Sequence, residues 1–368
     1  MSIVGIICEY NPFHNGHLHH LQEAKKEAEN GVVIAILTGY FSMRGDISVL
    51  NKYDKVKSAI DNGVDITLEL PYLLGTQNAD IFAYNSVYFL NMMGVDTIVS
   101  GSETNDIFNI INVYNLCKKD KFQKEIKEGL NQGYSYRKSF SEALKKYDLE
   151  LNSNDMLNLK YYEAIQQINP NIKLKLIKRI NNNYTDKELN KTNIQSATSL
   201  RMTSSIKGYV PDDVNSIFEE KGFYDINEFN IVLKHLISTI DLKQIHMATE
   251  GIENYIKVNF DNIDDLITKL STKRYTSSRI RRFITYILTN TKKDDCFEET
   301  KTTLRVTGFS QEGQSYLSTI KKQTNYFTRL TNGINPIYDK ELQIANIFTN
   351  IFDEDFIKIE QKLPYRKK

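Results

Sequence analysis

Four short apolar segments alternate with amphipathic segments over the first hundred residues of this 368-residue chain. The apolar segments span residues 3–8, 32–37, 66–70 and 95–99, and between them apolar residues recur at the three-to-four spacing of helices. Strands that are apolar throughout are buried on both faces, and helices between such strands imply parallel β-α-β units. The pattern therefore predicts an α/β fold built on a doubly wound parallel sheet.

The remainder of the chain has a more helical pattern. Apolar residues at helical spacing dominate residues 107–165, and one further strand is predicted at 172–177. Beyond about residue 206 the pattern predicts mostly helices and few strands. Single cores stop growing at about 250–300 residues, so this length favours two cores. We predict a sheet domain over residues 1–205 and an α-rich domain over residues 206–368.

Composition argues against several classes of protein. No segment approaches the roughly 18–20 apolar residues that a membrane-spanning helix needs. Cys8, Cys117 and Cys296 are too far apart for a zinc motif, and their odd number argues against a disulfide scaffold. The net charge is only +1, but basic residues cluster late in the chain, so a nucleic-acid partner is compatible with it. These features predict a cytoplasmic protein without a membrane partner.

The most informative motif is Asn-Pro-Phe-His-Asn-Gly-His at residues 11–17, between the first predicted strand and the first predicted helix. An open parallel sheet places its ligand site at this edge, and the N–H groups of a helix N-terminus attract phosphates there. Gly16 lets the backbone approach a ligand closely, while His14 and His17 project toward one side of the helix. Two imidazoles in this position can donate hydrogen bonds to a triphosphate and stabilise charge that develops on its α-phosphate.

Histidines also serve structural and metal-binding roles. His14, His17 and His20 follow an i, i+3, i+6 spacing that suits a metal site, but no Asp, Cys or further His cluster stands nearby to complete it. We therefore predict no metal site at these residues. His235 and His246 fall in the helical second half, where a structural role is the simpler interpretation.

A strand, the pattern His-x-Gly-His and a helix, in that order, resemble the nucleotidyltransferase superfamily, which transfers adenylyl groups from ATP. Residues 196–201, Ser-Ala-Thr-Ser-Leu-Arg, resemble the second motif of that superfamily, in which hydroxyls and a guanidinium hold the β- and γ-phosphates. Taken alone, this second segment also fits a capped surface helix. The two motifs in the expected order make coincidence an unattractive explanation.

A closer resemblance is to the bacterial tRNA(Met) cytidine acetate ligases. It rests most specifically on residues 5–17 (GIICEYNPFHNGH), and further on residues 39–45 (GYFSMRG), 69–71, 101–103, 178–179, 273–276 and 305–309. In that family acetate attacks the α-phosphate of ATP to give acetyladenylate and pyrophosphate. The wobble cytidine of elongator tRNA(Met) then takes the acetyl group on N4, which releases AMP. The resemblance implies ATP and acetate as substrates, a Mg²⁺ ion with ATP, and elongator tRNA(Met) as the partner.

The resemblance also implies site residues. His14 and His17 would act in catalysis by contacting the phosphates. Gly101 also suits a tight turn, and Asn154 also suits a helix N-cap. The family has adjacent asparagines where this chain has Asn154 and Asp155, so either residue is a candidate for that contact. The implied ATP-binding residues are Ile7, Cys8, Glu9, Tyr10, Asn11, Pro12, Phe13, His14, Asn15, Gly16, His17, Leu18, His19, His20, Gly101, Asn154, Arg179, Ser196, Thr198 and Arg201.

Basic residues indicate where RNA would bind. The segment 273–282 (KRYTSSRIRR) combines cations that neutralise phosphates with an aromatic ring that can stack on an unpaired base. A charged, solvated helix face is the alternative interpretation of such a run. Arg44 is predicted at the same sheet edge as the histidines, in contact with either tRNA or pyrophosphate. The predicted tRNA-binding residues are Arg44, Lys273, Arg274, Tyr275, Arg279, Arg281 and Arg282.

Two other functions share part of this pattern. A small-molecule adenylyltransferase that makes a nucleotide cofactor would carry both nucleotidyltransferase motifs but would need no large helical appendage. A non-catalytic RNA-binding protein would keep the nucleotide domain only as a scaffold, which the intact histidine pair argues against. Dependence of pyrophosphate release on acetate distinguishes the three functions.

Overall fold

A mostly parallel β-sheet forms the centre of the fold. The computed structural model describes residues 2–179, 194–249, 251–271, 275–295 and 303–367. Within these ranges the strands are β1 (Ile3–Cys8), β2 (Val32–Thr38), β3 (Ile66–Leu70), β4 (Thr97–Ser102), β5 (Lys173–Lys178), β6 (Leu304–Phe309), β7 (Tyr326–Phe327) and β8 (Tyr365–Arg366). Their order is β5-β4-β1-β2-β3-β6-β7, and β8 also pairs with β6. Strands β1 to β5 are mutually parallel, whereas β6 runs antiparallel to β3.

Helices connect the strands and cover the sheet. Helix α1 (Asn15–Ala28) links β1 to β2, and α2 (Lys52–Asp61) links β2 to β3. The other helices of the described ranges are α3 (Tyr72–Gly75), α4 (Ala79–Met92), α5 (Ile107–Cys117), α6 (Asp120–Asn131), α7 (Tyr136–Lys145), α8 (Ser153–Ile168), α9 (Ala197–Arg201), α10 (Asp212–Lys221), α11 (Asn230–Thr239), α12 (Ile252–Asn259), α13 (Ile263–Leu270), α14 (Ser277–Leu288), α15 (Gln311–Ile320), α16 (Pro336–Ile351) and α17 (Phe356–Glu360). Among the described residues, no helix combines the length and the apolar character that crossing a membrane requires.

Both faces of the sheet are buried, as the apolar strands predict. Successive residues of β2 point to opposite faces of the sheet, so that Val32 belongs to one core cluster and Val33 to another. One cluster contains Val33 and packs against α1 through Leu21. The other contains Val32 and extends to Phe283 and Phe348 on helices of the second half. This arrangement confirms the doubly wound α/β fold and shows that the second half covers one face of it.

The strand register determines which loops meet. Residue Cys8 at the end of β1 pairs with Leu37 near the end of β2, and Ser102 at the end of β4 pairs with Lys178 at the end of β5. Because these strands are parallel, their carboxyl ends open at one edge of the sheet. The segments that follow them therefore converge there, as the motif positions require.

Two features differ from the expectation for the sheet. The fourth strand is Thr97–Ser102 instead of residues 95–99, because Val95 still donates its N–H to Leu90 in the turn after α4. In addition, β6 from the second half lies beside β3, so described residues of both predicted domains share one sheet. The division after residue 205 stays a prediction.

A buried cluster of charges joins the two halves of the chain. Lys52 Nζ on α2 lies 2.5 Å from a Glu341 oxygen and 2.7 Å from a Glu360 oxygen, and it also pairs with Glu69. Arg305 on β6 lies 2.8 Å from Glu69 and also pairs with Glu360. All five residues are less than a tenth exposed. Three carboxylates this close together can bind a metal ion, but here Lys52 and Arg305 supply the positive charge among them.

Candidate nucleotide-binding site

A cavity of about 230 Å³ opens at the carboxyl edge of the sheet, beside the N-terminus of α1. Arg44, predicted to contact tRNA or pyrophosphate, is part of its wall. The structure thus brings together the first motif, the second motif and the strand ends between them. The predicted ATP-binding residues that line the cavity are Ile7, Cys8, Glu9, Asn11, His14, Gly16, His17, His19, His20, Gly101, Asn154, Arg179, Ser196 and Arg201.

The structure does not bring the remaining predicted ATP-binding residues into the cavity wall. Tyr10 and Phe13 are buried behind His17, with ring centroids 5.0 and 6.0 Å from its ring. Asn15 holds a neighbouring loop, because its side-chain amide donates to the Gly208 carbonyl at 2.9 Å. These side chains support the wall instead of facing the cavity. The full set outside the wall is Tyr10, Pro12, Phe13, Asn15, Leu18 and Thr198.

His14 and His17 cap the N-terminus of α1. His14 Nδ1 accepts hydrogen bonds from the main-chain N–H groups of Gly16 (3.1 Å) and His17 (3.3 Å). In return, His17 Nδ1 accepts one from the main-chain N–H of His14 (3.4 Å). The prediction that the N–H groups at the start of α1 face phosphates is wrong for two of them. The N–H groups of Gly16 and His17 donate to His14 Nδ1 instead. The imidazole rings are therefore the groups of this helix start that line the cavity with a donor position not used in these caps.

Both imidazoles are neutral. Because each Nδ1 accepts a main-chain N–H, the neutral ring carries its proton on Nε2. Burial, reinforced by Arg179 and Arg201, lowers the pKa of His14 from 6.5 to about 3. Burial also holds the pKa of His17 well below its usual range, with His14 as the next contributor. The rings stack at a centroid distance of 3.7 Å, which two neutral rings tolerate and two imidazolium cations would oppose.

An NMR titration tests this neutral state. The imidazole signals of His14 should remain those of the neutral Nε2–H form from pH 8 to about pH 5, because the pKa of His14 is about 3. In the urea-unfolded protein the same ring should titrate near 6.5. By linkage, neutral His14 contributes stability that is complete above pH 6.5 and is lost as the pH falls toward 3. Titration of the folded protein near pH 6.5 at this ring would contradict the burial-driven shift.

The second motif contacts the first through Arg201. Its Nη1 donates to the main-chain carbonyl of Asn11 at 2.9 Å, and its Nη2 donates to the Thr198 hydroxyl at 3.3 Å. Ser196 accepts the N–H of Ser199 at 3.1 Å and so caps α9, as the capped-helix interpretation predicts. It also lines the cavity. The guanidinium of Arg201 is thereby fixed beside the first motif.

The Asn154-Asp155 pair is divided between the cavity and the core. Asn154 lines the cavity, where its Nδ2 donates to Glu103 at 2.7 Å. Asp155 is fully buried and accepts hydrogen bonds from the hydroxyls of Ser102 (2.5 Å) and Thr104 (3.0 Å). Of the two candidates, Asn154 is therefore the one that faces the cavity, and Asp155 anchors α8 to the end of β4.

Sequence analysis missed several lining residues. Asn158 accepts a hydrogen bond from the Ser100 hydroxyl at 2.6 Å and donates to the Gly101 carbonyl at 3.1 Å. Its position one helical turn after Asn154 was the available signal. The others come from elements whose cavity-facing side depends on tertiary packing: Met43, Phe82, Ser100, Leu157, Tyr161, Ile177, Lys178, Ile194, Gln195 and Ala197.

The loop after β2 connects the cavity to α14. Gly45, with a φ of +82°, lies so close to this helix that a Cβ would stand 2.5 Å from the main-chain nitrogen of Arg282. Asp46 of the same loop pairs with Arg281 and lies 3.8 Å from Arg201. The loop that supplies Arg44 to the cavity is therefore held against α14.

The predicted tRNA-binding residues of α14 have different environments. Arg279 donates to the Thr249 hydroxyl at 2.6 Å, and its guanidinium lies 5.0 Å from the ring centroid of Tyr275. Arg282 is more deeply placed, and burial lowers its pKa. Tyr275, Arg279, Arg281 and Arg282 are all half-buried. Two predicted residues lie outside the described ranges, Lys273 and Arg274.

Comparisons with known proteins identify the family. The model of the HIGH Nucleotidyl Transferase family matches residues 1–362. A tRNA(Met) cytidine acetate ligase from Fusobacterium nucleatum is 37% identical, over 89% of this chain and 87% of that protein. The ligase of the same name from Caldicellulosiruptor saccharolyticus is 34% identical, over 94% of this chain and 92% of that protein. This chain belongs to the tRNA(Met) cytidine acetate ligase family.

Solved structures agree with membership of this ligase family. The apo crystal structure of Thermotoga maritima TmcAL has a TM-score of 0.88 to this chain, and the form bound with alpha-thio ATP has a TM-score of 0.86. Both comparisons cover 100% of each chain at 26% identity. The family resemblance and the α/β architecture inferred from the sequence are thus confirmed. The role of each individual residue in this ligase stays a prediction.

Proposed function

We propose that this protein is an ATP-dependent ligase that activates acetate as acetyladenylate and transfers the acetyl group to N4 of the wobble cytidine of elongator tRNA(Met). The observation that carries the proposal is the pair of neutral imidazoles, His14 and His17, stacked on the wall of the cavity at the start of α1. Family membership supports the identity of the substrates, and the histidine pair supports the formation of acetyladenylate. We place the protein in the cytoplasm with its proposed RNA substrate.

The first step forms a mixed anhydride of acetate and AMP. An acetate oxygen attacks the α-phosphorus, a P–O bond forms, and the bond to the oxygen bridging to the β-phosphate breaks, so pyrophosphate leaves with that electron pair. Acetate brings its own nucleophilic oxygen, so no serine or cysteine nucleophile is required. Cys8 in the cavity wall stays a thiol, because burial raises its pKa to about 12. The protein then catalyses this step by positioning acetate and ATP and by stabilising the negative charge that develops on the phosphates.

We assign the stabilisation of this charge to four side chains. His14 and His17 donate from Nε2 toward the α-phosphate, and Arg179 and Arg201 contact the β- and γ-phosphates. Both arginines are close enough to the imidazoles to lower the pKa of His14. Because the rings are neutral Nε2–H donors before the nucleotide arrives, no protonation step precedes the reaction.

The adenosine is assigned to the end of β4. Gly101 lines the cavity there beside Arg179, whose Cγ would stand at an ordinary contact distance of 3.4 Å from a Cβ at position 101. Asn154 and Asn158 line the same part of the cavity and offer amide groups to a sugar or base. The triphosphate then extends from this end of the cavity toward α1.

A Mg²⁺ ion is expected with the triphosphate. Glu9 is the one carboxylate among the described residues that line the cavity, and its Oε1 already accepts the main-chain N–H of Met43 at 2.7 Å. Mg²⁺ prefers near-octahedral oxygen ligands and usually keeps several waters. The described lining therefore forms no protein cage for this ion. We propose that Mg²⁺ enters on the ATP phosphates, whose charge it neutralises.

The tRNA is assigned to the α14 side of the cavity. Arg279 and Tyr275 provide a cation and an aromatic ring at this surface, and Arg44 lines the cavity itself. Such groups contact phosphates and stack on unpaired bases of RNA loops. In this proposal the α-rich second half contributes to tRNA binding and the sheet holds the nucleotide.

Replacing Arg279 by alanine tests this surface. We expect weaker tRNA binding, and we expect the slope of log affinity against log salt concentration to fall by about 0.7–0.9, the value for one lost phosphate contact. The matched variant Arg279→Lys keeps the charge, so it should keep the slope. Filter-binding titrations at several salt concentrations measure both. An unchanged slope in Arg279→Ala would show that Arg279 does not contact a tRNA phosphate.

Product analysis tests the proposed function. The protein is incubated with ATP, ¹³C-labelled acetate and elongator tRNA(Met), and nucleosides are analysed by mass spectrometry. We expect labelled N4-acetylcytidine at the wobble position with one AMP released per acetyl group. Acetyl-coenzyme A in place of acetate should give none. Pyrophosphate release with nicotinamide mononucleotide or phosphopantetheine, but not with acetate, would favour a small-molecule adenylyltransferase, and no reaction would favour a non-catalytic RNA-binding protein.

A further inference from the structure

We propose that Glu9 is the general base that takes the proton from the N4 amine of cytidine during acetyl transfer. The inference rests on the proposed function and names the group that completes its second step. It follows from the composition of the cavity wall, from the position of Glu9 within it, and from the state of the other titratable groups.

The composition of the wall makes Glu9 exceptional. Among the described residues that line the cavity, every other charged or ionisable side chain is a histidine, lysine, arginine, cysteine or tyrosine. A carboxylate opposes a bound triphosphate electrostatically, so its presence there needs a different explanation. An amine that loses a proton is the reactant for which a carboxylate is the suitable partner.

Glu9 lies on the side of the cavity where the acceptor would arrive. It follows the last residue of β1 directly, and its Oε1 accepts the main-chain N–H of Met43 at 2.7 Å. Met43 belongs to the loop whose Gly45 packs against the backbone of α14. Glu9 therefore lies in the wall of the nucleotide site and is joined through Met43 to the loop that packs against the helix assigned to tRNA. Among the described residues, none donates a hydrogen bond to its Oε2, so that oxygen is available to a substrate.

The chemistry of cytidine requires such a group. The N4 lone pair is conjugated with the pyrimidine ring, so nitrogen attacks well only as its proton departs. In this step the N4–C bond to the acetyl carbonyl forms and the C–O bond to AMP breaks, so AMP leaves with that electron pair as its phosphate anion. The N4 proton passes to the Glu9 carboxylate. Burial, opposed by the Met43 N–H and by Arg44, raises the pKa of Glu9, which makes the carboxylate a stronger base.

Four other titratable groups of the cavity and of its loop are unsuited to the task. The Nδ1 atoms of His14 and His17 already accept main-chain N–H groups, and their Nε2 atoms carry protons in the neutral state. Burial raises the pKa of Cys8 to about 12, so its thiol does not accept a proton at neutral pH. Asp46, at the far end of the loop, is paired with Arg281.

Glu9→Gln, assayed with two acceptors, tests the assignment. Glutamine keeps an oxygen that accepts the Met43 N–H, but it is not a base. With acetate, ATP and hydroxylamine, the enzyme-bound acetyladenylate yields acetyl hydroxamate, since hydroxylamine is nucleophilic without deprotonation. With elongator tRNA(Met) in single-turnover mixtures, the same intermediate yields N4-acetylcytidine. We expect transfer to tRNA to fall by about 10²–10⁴-fold and hydroxamate formation to change far less.

The outcomes are distinguishable. Glu23→Gln, a surface variant on α1 that loses only an exposed ion pair with Lys26, should transfer acetyl to tRNA at the wild-type rate. A parallel fall of both products in Glu9→Gln would overturn the assignment and place Glu9 in ATP or Mg²⁺ binding. Transfer to tRNA at the wild-type rate would also overturn it. Absence of acetate-dependent hydroxamate in the wild-type protein would instead contradict the proposed function itself.

Discussion

Replacing His14 by asparagine should lower the rate of acetate-dependent adenylate formation by about 10²–10³-fold, the loss typical of one donor to a developing oxyanion. Asparagine is a good N-cap residue, so its oxygen can still accept the N–H groups at the start of α1. What it lacks is the Nε2–H donor that the His14 ring presents. The expected loss therefore reports on the transition state and not on the helix. His17→Asn should also lower this rate, because it removes the second Nε2–H donor, although His17 is the third residue of the helix and not its N-cap.

Acetate-dependent exchange of labelled pyrophosphate into ATP measures this effect without tRNA. The control is His235→Asn, on the exposed surface of α11, which should exchange at the wild-type rate. Binding of tRNA by His14→Asn should stay close to that of the wild-type protein, because α14 lies outside the substituted turn. Exchange within tenfold of the wild-type rate in both His14→Asn and His17→Asn would contradict a catalytic role for the pair.

Replacing Lys52 by methionine should lower the free energy of unfolding by about 3–5 kcal/mol, the cost typical of leaving buried charge uncompensated. Methionine has nearly the length of lysine but no charge. Without the ammonium group, Glu69, Glu341 and Glu360 would share only the positive charge of Arg305. Burial already raises the pKa of Glu341 even with Lys52 present, which shows how poorly this site holds a further negative charge.

Urea denaturation measures the effect, and α2 offers a matched control. Lys57 pairs with Asp61 on the same helix, but its side chain is 39% exposed, so Lys57→Met should cost less than about 1 kcal/mol. Adding Glu341→Gln to Lys52→Met should recover part of the loss, because one of the uncompensated carboxylates is removed. Equal effects of Lys52→Met and Lys57→Met would show that the buried cluster contributes nothing beyond a surface pair.

The sheet could be predicted from the sequence wherever a strand is apolar on both faces. Residues 32–37 contain no polar side chain, and this property alone places β2 in the middle of a parallel sheet. The position of β6 could not be predicted in the same way. Its pairing with β3 joins residues such as Phe309 and Ile66, which are far apart in sequence, and local patterns carry no information on such partners.

In the nucleotide site, too, one part of the arrangement could be predicted from the sequence and another part could not. Residues 11–17 indicated the histidine pair, because the spacing of His14 and His17 fixes a common face of α1. The use of the His14 ring as the helix cap was not visible, because it depends on a side-chain rotation that spacing does not specify. Similarly, Asn154 and Asp155 looked equivalent until the packing of α8 turned one toward the cavity and the other toward Ser102.

In the proposed mechanism ATP lies across the start of α1, with its α-phosphate in contact with two neutral imidazoles. A crystal structure of this protein with alpha-thio ATP tests it directly. We expect α-phosphate oxygens at hydrogen-bond distance, about 2.7–3.2 Å, from Nε2 of both His14 and His17. A triphosphate bound instead in the adjoining cavity beside Asp225 and Asp264, with the two rings still stacked and uncontacted, would contradict it.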